Sequence, residues 1–192
     1  MKLSGSYQIN LEKQKVWEAL NDPEILKKSI PGCEEFKKDS ETEFSATAKN
    51  KIGPFNASFT GTIELKDINA PNSYKIVGSG NSPVGFASGQ ADVKLEESSD
   101  GGTKLIYSVE ANVGGKIAQV GSRLIDMTAK KMADIFFGKF TQLISSVSIT
   151  EKKEENDLIA EKSGKKITNK KSSNKILIYS TIALILAITG YY

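Results

Sequence analysis

Residues 54–67 alternate strictly enough to fix their backbone. Phe55, Ala57, Phe59, Gly61, Ile63 and Leu65 fall on one side, and Asn56, Ser58, Thr60, Thr62 and Glu64 on the other. A period of two marks an extended strand with one buried face and excludes a helix, whose apolar residues recur every three or four positions. The pattern returns along the chain. Residues 84–97 set Gly85, Ala87, Gly89, Ala91, Val93 and Leu95 against Gln90, Asp92 and Lys94, and residues 42–50 alternate through Phe44, Ala46 and Ala48. Pro71-Asn72 turns the chain into a strand carrying Tyr74 and Ile76, and Asp100-Gly101-Gly102 is a hairpin signal leading to Leu105, Tyr107, Val109, Ala111 and Val113. Strands joined by such short turns pair antiparallel, with one apolar face.

Helical signals flank this block. After a first strand over residues 2–9, Asn10 is placed to cap a helix over 11–21 with Val16, Trp17 and Leu20 on one face. Asp22-Pro23 is a cap followed by proline at the first helical position, and the short helix it starts stops at Ile30-Pro31-Gly32. Beyond Gly114-Gly115 a long helix is expected over 116–146, with Ile117, Val120, Leu124, Thr128, Ile135, Phe136 and Leu143 as its apolar stripe. The order predicts an α+β domain: a curved antiparallel sheet wrapped around a final amphipathic helix, which buries both apolar faces. The inward positions include Ala46, Ala48, Ala57, Gly61, Gly89 and Ala91. Such small side chains beneath a helix give either close helix–sheet packing or a cavity, and periodicity does not separate the two.

Composition removes several chemistries. The 192 residues include one cysteine and no histidine, so intrachain disulfides, histidine-ligated metal sites and Ser-His or Cys-His nucleophile pairs are excluded. Residues 1–150 carry 18 Lys/Arg against 18 Asp/Glu, so no basic field covers the folded part and nucleic acid is not an expected partner. The net charge of +3 belongs to residues 151–192, with 8 Lys against 5 acids. Met1-Lys2-Leu3-Ser4-Gly5-Ser6 lacks the apolar run of a secretory signal. Residues 176–192, from Ile176 through Leu184 to Tyr191 and Tyr192, hold no charge. As a helix they would extend about 25 Å, slightly short of a hydrocarbon core of about 30 Å. Lys175 can snorkel to the near headgroups and the terminal tyrosines can sit at the far interface. Six lysines between Lys162 and Lys175, with no acid after Glu161, mark a cytoplasmic flank. The expected organisation is a domain over 1–146, a flexible Lys-rich linker over 147–175 and a single-pass C-terminal transmembrane anchor over 176–192, with the domain on the cytoplasmic face of the cell membrane.

The same residues resemble a known family. Asn21-Asp22-Pro23, Ile30-Pro31-Gly32-Cys33, Lys51-Ile52-Gly53-Pro54, Phe59-Thr60-Gly61, Gly85-Phe86-Ala87-Ser88-Gly89, the run Val113 to Ile125 and Phe136-Phe137 are similar, in matching order, to the carbon monoxide dehydrogenase G-subunit (CoxG) family. The resemblance spans about residues 1–145 and implies the START-like, helix-grip fold of the polyketide cyclase and lipid-transfer superfamily. It also implies a ligand cavity, association with a molybdenum hydroxylase of the carbon monoxide dehydrogenase type, and roles in membrane recruitment, maturation or handling of a quinone-like acceptor. No covalent cofactor is expected; the expected ligand is a quinone or lipid.

Candidate residues follow. Phe44, Phe55, Phe59, Tyr74, Tyr107, Leu124, Thr128 and Phe136 are the expected cavity lining, the two tyrosine hydroxyls being able to donate to a quinone carbonyl or a lipid headgroup. Ser79 to Phe86 reads as a flexible loop whose tip, Phe86, falls on the outward register and can gate a cavity or dock a partner. Cys33 is read as a packed thiol, and Asp126 and Asp134 as solvated charges off the helix stripe. The predicted inward faces hold no His, Asp or Glu, which argues against a cyclase- or hydrolase-type enzyme. A closed-core structural adaptor or maturation factor without ligand is the alternative.

Overall fold

The computed structural model describes residues 1–161, with side chains described through residue 146. Seven strands form one antiparallel sheet: β1 (Lys2–Ile9), β2 (Cys33–Lys38), β3 (Glu43–Ile52), β4 (Phe55–Asn69), β5 (Ser73–Ser82), β6 (Gly85–Glu97) and β7 (Thr103–Gly115). Their spatial order is β1-β7-β6-β5-β4-β3-β2, so β2 to β7 form a meander and β1 closes on β7. Two short helices, α1 (Lys13–Ala19) and α2 (Pro23–Ser29), join the edge strands β1 and β2, and the helix α3 (Ser122–Glu161) follows β7. This is the helix-grip arrangement, a curved sheet closed around a C-terminal helix.

The local chemistry explains most boundaries. Asp22 caps α2: its Oδ1 accepts from the backbone N–H groups of Glu24 at 2.8 Å and Ile25 at 3.3 Å, and Pro23 occupies the first helical turn. α1 starts two residues later than the Asn10 cap predicts, with Glu12 at its N-cap and no side-chain capping bond. The expected loop over 79–86 is instead strand on both sides of a two-residue turn, Pro83-Val84, because Ser82 pairs with Gly85 and Asn81 with Phe86.

α3 differs from its prediction at both ends. A short 3₁₀ helix covers Lys116–Val120, and Gly121 at φ +90° separates it from α3. A stripe extrapolated from Ile117 and Val120 onto Leu124 assumes one unbroken helix, and the break at Gly121 resets the phase. The buried positions are Ile125, Ala129, Met132, Ala133, Phe136, Phe137, Phe140 and Ile144, at helical spacing, while Leu124 is 37% exposed and Thr128, Ile135 and Leu143 are half-buried. The backbone stays helical to Glu161, over the first part of the expected linker. β2 escaped the period-two reading because Phe36 is its one buried residue, among Glu34, Glu35, Lys37 and Lys38. Charges of this kind suit an edge strand, which must not recruit further strands.

One large apolar cluster joins α1 and α2 (Val16, Trp17, Leu20, Leu26, Ile30) to the sheet (Phe44, Ile63, Leu65, Ile76, Leu95, Leu105) and to α3 (Phe136, Phe140, Ile144). A second, smaller cluster of Ile52, Ala57, Phe59, Ile117 and Ile125 lies at the end where β3 turns into β4 and the 3₁₀ helix begins.

Candidate functional site

Between these clusters the inner face of the sheet is lined by very small residues. The register places Ala46 opposite Gly61, Gly61 opposite Gly80 and Gly80 opposite Ala87, so one cross-strand row over β3–β6 holds nothing larger than a methyl group. The next row toward the large cluster pairs Phe44, Ile63, Gly78 and Gly89. At Gly61 the absence of a side chain is obligatory, since a Cβ there would lie 2.6 Å from the Ser79 carbonyl oxygen. Short side chains make a saddle in the sheet, bounded by Phe59 on one side and Phe44 on the other, with α3 across the core from it.

Five of the sequence-predicted lining residues lie inside. Phe44, Phe59 and Phe136 are at most 1% exposed, and Tyr74 and Tyr107 at most 4%. Phe55 is half-buried against the smaller cluster, and Leu124 lies at the same end, 37% exposed, with Cδ2 over Gly53. Thr128 sits beside the buried stripe of α3 rather than on it. Phe86 is 49% exposed and faces outward, with its ring against Gly114, where a Cβ would come within 2.3 Å of the ring. A groove of about 680 Å³ lined by Thr62, Glu64, Val77, Ser79 and Ser88 is on the outer face of the sheet, opposite the saddle, and offers an open strand surface of mixed polar and apolar character.

A constellation not anticipated from sequence lies on the seam between β1 and α3. The Tyr7 ring stacks on Phe137 at 4.0 Å and lies near-parallel to Tyr107 at 6.1 Å, and Phe137 leads through Phe136 to Phe140. The Tyr7 hydroxyl donates to Asp134 Oδ1. Asp134, expected as a solvated charge, is exposed but held by this bond to the sheet. Burial, then the hydrogen bond to the Asp134 carboxylate, pushes the Tyr7 phenol well above its ordinary range; burial, then the Asp134 charge, raises Tyr107. Both phenols are therefore proton donors, not bases, at neutral pH. The alternation of Leu3, Gly5, Tyr7 and Ile9 was the available signal for Tyr7, but nothing in the sequence pairs it with a residue 127 positions away.

Reactive groups are otherwise sparse. Cys33 is half-buried, donates its thiol to the Glu35 carbonyl oxygen at 3.4 Å and is pushed up to about 11 by burial, which leaves little thiolate near neutrality. Asp126 is exposed. Among the described residues no cluster of carboxylate and thiol groups could hold a metal ion, and no helix is long and apolar enough to cross a membrane. The expected anchor residues Lys175, Ile176, Leu184, Tyr191 and Tyr192 lie outside the described residues.

Comparison with known proteins agrees with this architecture. A conserved protein from Geobacillus kaustophilus of known crystal structure is 31% identical, with a TM-score of 0.73 over 76% of this chain and 96% of that one. The Zhui aromatase/cyclase from Streptomyces sp. R1128 (11% identity, TM-score 0.57, 76% of this chain and 93% of that one) and Ara h 8.0201 (18% identity, TM-score 0.54, 76% and 98%) share the fold. No curated protein matches the chain. The model of the carbon monoxide dehydrogenase G-subunit family, CoxG, matches residues 5–145. Helix-grip architecture, the resemblance in sequence and this match over most of the chain agree, and the protein belongs to the CoxG family, the G-subunit family of carbon monoxide dehydrogenase.

Proposed function

We propose that the protein is a non-catalytic, membrane-associated binding module that shelters an apolar molecule of the quinone or lipid class. It would recruit or couple a molybdenum hydroxylase of the carbon monoxide dehydrogenase type to the cytoplasmic face of the membrane, with residues 176–192 as the tether. The observation that carries the binding part is the saddle of Ala46, Gly61, Gly80 and Ala87 between two apolar clusters. Volume withheld from the sheet face at that row is where an apolar ligand would gain burial, at about 25 cal/mol per Å² of apolar surface. Phe44 and Phe59 would bound it, while Tyr74 and Tyr107 lie three rows further along the sheet, in the row of Val93, where their hydroxyls would meet only a ligand extending through the large cluster. The family name supports the partner, and the uncharged run after six lysines supports the tether.

A second reading, a closed-core adaptor, is favoured by the near-complete burial of Phe44, Phe59, Phe136 and Phe140. Two measurements separate them. The full-length protein purified from its native membranes is extracted with organic solvent and the extract analysed by mass spectrometry. A quinone or lipid in stoichiometric amount is expected; a bare extract together with no uptake of added ubiquinone or menaquinone overturns the ligand reading. Ala46→Leu adds three carbons over the saddle. In a ligand chamber it displaces ligand at little cost in stability, whereas in a closed core it destabilises by about 1–3 kcal/mol.

A further inference from the structure

Charge is segregated along this neutral domain. Residues 44–63, 68–91 and 111–125 contain no Asp or Glu. These segments carry the β3–β4 turn, the β5–β6 turn and the connection from β7 into α3, and the structure brings all three to one end. The Ile117 N–H donates to the Val84 carbonyl at 3.1 Å, the Phe86 ring covers Gly114, and a methyl group on Gly53 would lie 3.3 Å from Leu124 Cδ2. The ion pairs Lys2–Glu110, Lys13–Glu97, Lys38–Glu41 and Lys75–Asp67 lie elsewhere. Exposed Lys51, Lys116 and Arg123 surround this end, and Lys130 and Lys131 continue the basic surface along α3. Asp126 is the acid on that part of α3, and Glu34, which accepts from Ser58, stands toward the β2 edge.

Apolar side chains project through this basic surround. Phe86 is 49% exposed, Leu124 37% and Met127 62%, and the half-buried Phe55, Val84 and Val120 lie at the same end. They stand on turns, a strand end and the first turns of a helix. Apolar side chains among several cations, with Asp126 as the acid beside them, suit an anionic lipid surface, where the side chains enter the headgroup layer and each cation nearby adds attraction. A folded protein partner would call instead for a flat, shape-matched patch with mixed polar partners.

We infer that the end bearing Phe86, Leu124 and Met127 docks on an anionic bilayer, which turns the smaller apolar cluster and the saddle behind it toward the lipid. This deepens the membrane-associated reading above and rests on it. The chain outside the described residues argues the same way, because residues 162–175 supply six further lysines and residues 176–192 no charge. Tail and docking face would then hold the domain at two points in a fixed orientation.

The test uses the full chain with Cys33→Ser and one new cysteine carrying an environment-sensitive fluorophore, at Met127→Cys or, on the opposite end, at Ser99→Cys. Vesicles are of phosphatidylcholine with or without phosphatidylglycerol, and co-sedimentation is measured alongside fluorescence. The expected result is sedimentation with a blue shift and quenching by lipid-borne nitroxide at position 127 on the anionic vesicles, and neither optical change at position 99. Arg123→Gln with Lys131→Gln should lower the inserted population roughly 25-fold, about fivefold per cation, while sedimentation persists. Sedimentation without a response at 127 overturns the docking face and leaves the tether standing. Failure to sediment overturns both. A blue shift that grows with protein concentration in the absence of vesicles assigns the face to a second copy of the chain and overturns the lipid assignment.

Discussion

Replacing Tyr7 by phenylalanine removes a polar bond across the seam between β1 and α3. The ring remains, with its stack on Phe137 at 4.0 Å, and only the hydroxyl that donates to Asp134 is lost. A hydrogen bond to a charged group contributes about 1.5–3 kcal/mol when both partners are dry. Asp134 is exposed and regains water when the bond is removed, so the expected loss is about 1 kcal/mol. With a urea slope of about 2 kcal/mol/M the midpoint should fall by about 0.5 M, read by the fluorescence of Trp17, which is buried against Tyr74 and is the one tryptophan of the chain. Asp134→Asn and the double variant complete the cycle, with a coupling of about 0.5–1 kcal/mol expected. The pH dependence follows from the raised phenol pKa. The folded state holds the Tyr7 proton more tightly than the unfolded chain, whose phenol titrates at its ordinary 10.0. The contribution is complete below pH 10 and is lost as pH rises beyond it, because the unfolded chain ionises first. Tyr7→Phe should therefore make the alkaline loss of stability shallower, with Tyr107, Cys33, Lys2 and Lys37, all raised as well, contributing to what remains. A Tyr7→Phe protein within about 0.3 kcal/mol of the parent, or one with an unchanged alkaline limb, would refute the seam bond as a contributor.

Other outcomes are equally specific. Asp22→Ala removes the oxygen that caps Glu24 and Ile25 and should cost about 1 kcal/mol in urea denaturation, with Asp22→Asn recovering most of it. Gly61→Ala drives a methyl group toward the Ser79 carbonyl at 2.6 Å and should destabilise by about 2 kcal/mol, a loss that no enlargement of the opposite core relieves. Cys33 should alkylate with iodoacetamide far more slowly than an open thiol at neutral pH and accelerate toward pH 11, followed by mass spectrometry; a rate equal to that of free cysteine contradicts its burial. Phe140→Ala, at a position with 0% exposure, should lower stability by about 3–5 kcal/mol.

The strands were legible because one face meets the core and the other meets water, which writes a period of two into the sequence. The residues around Phe59 and Ala87 show this plainly, and the Asp22-Pro23 cap is a local device read from adjacent residues. The helix phase was not legible. Gly121 looks like any glycine in sequence, yet it separates the 3₁₀ turn from α3, so Leu124 and Thr128 moved off the buried stripe and Ala129, Met132 and Phe140 took it. β2 stayed hidden because an edge strand packs on one side only and Phe36 is its single buried residue. The Tyr7–Asp134 contact joins the two ends of the domain and leaves no local trace. The small inward residues could be read as a row only once the register put Ala46, Gly61, Gly80 and Ala87 side by side.

The strand order has a consequence for how the chain is built. From β2 to β7 each strand pairs with its neighbour in sequence, so hairpins form one after another with short loops to close. β1 must wait, since Lys2 lies opposite Glu110. At synthesis rates of about 5–20 residues per second its partner emerges on the order of ten seconds later. During that interval β1 has no strand to pair with. The first strand made is the last one joined, and substitutions that slow maturation without altering final stability should therefore concentrate along β7.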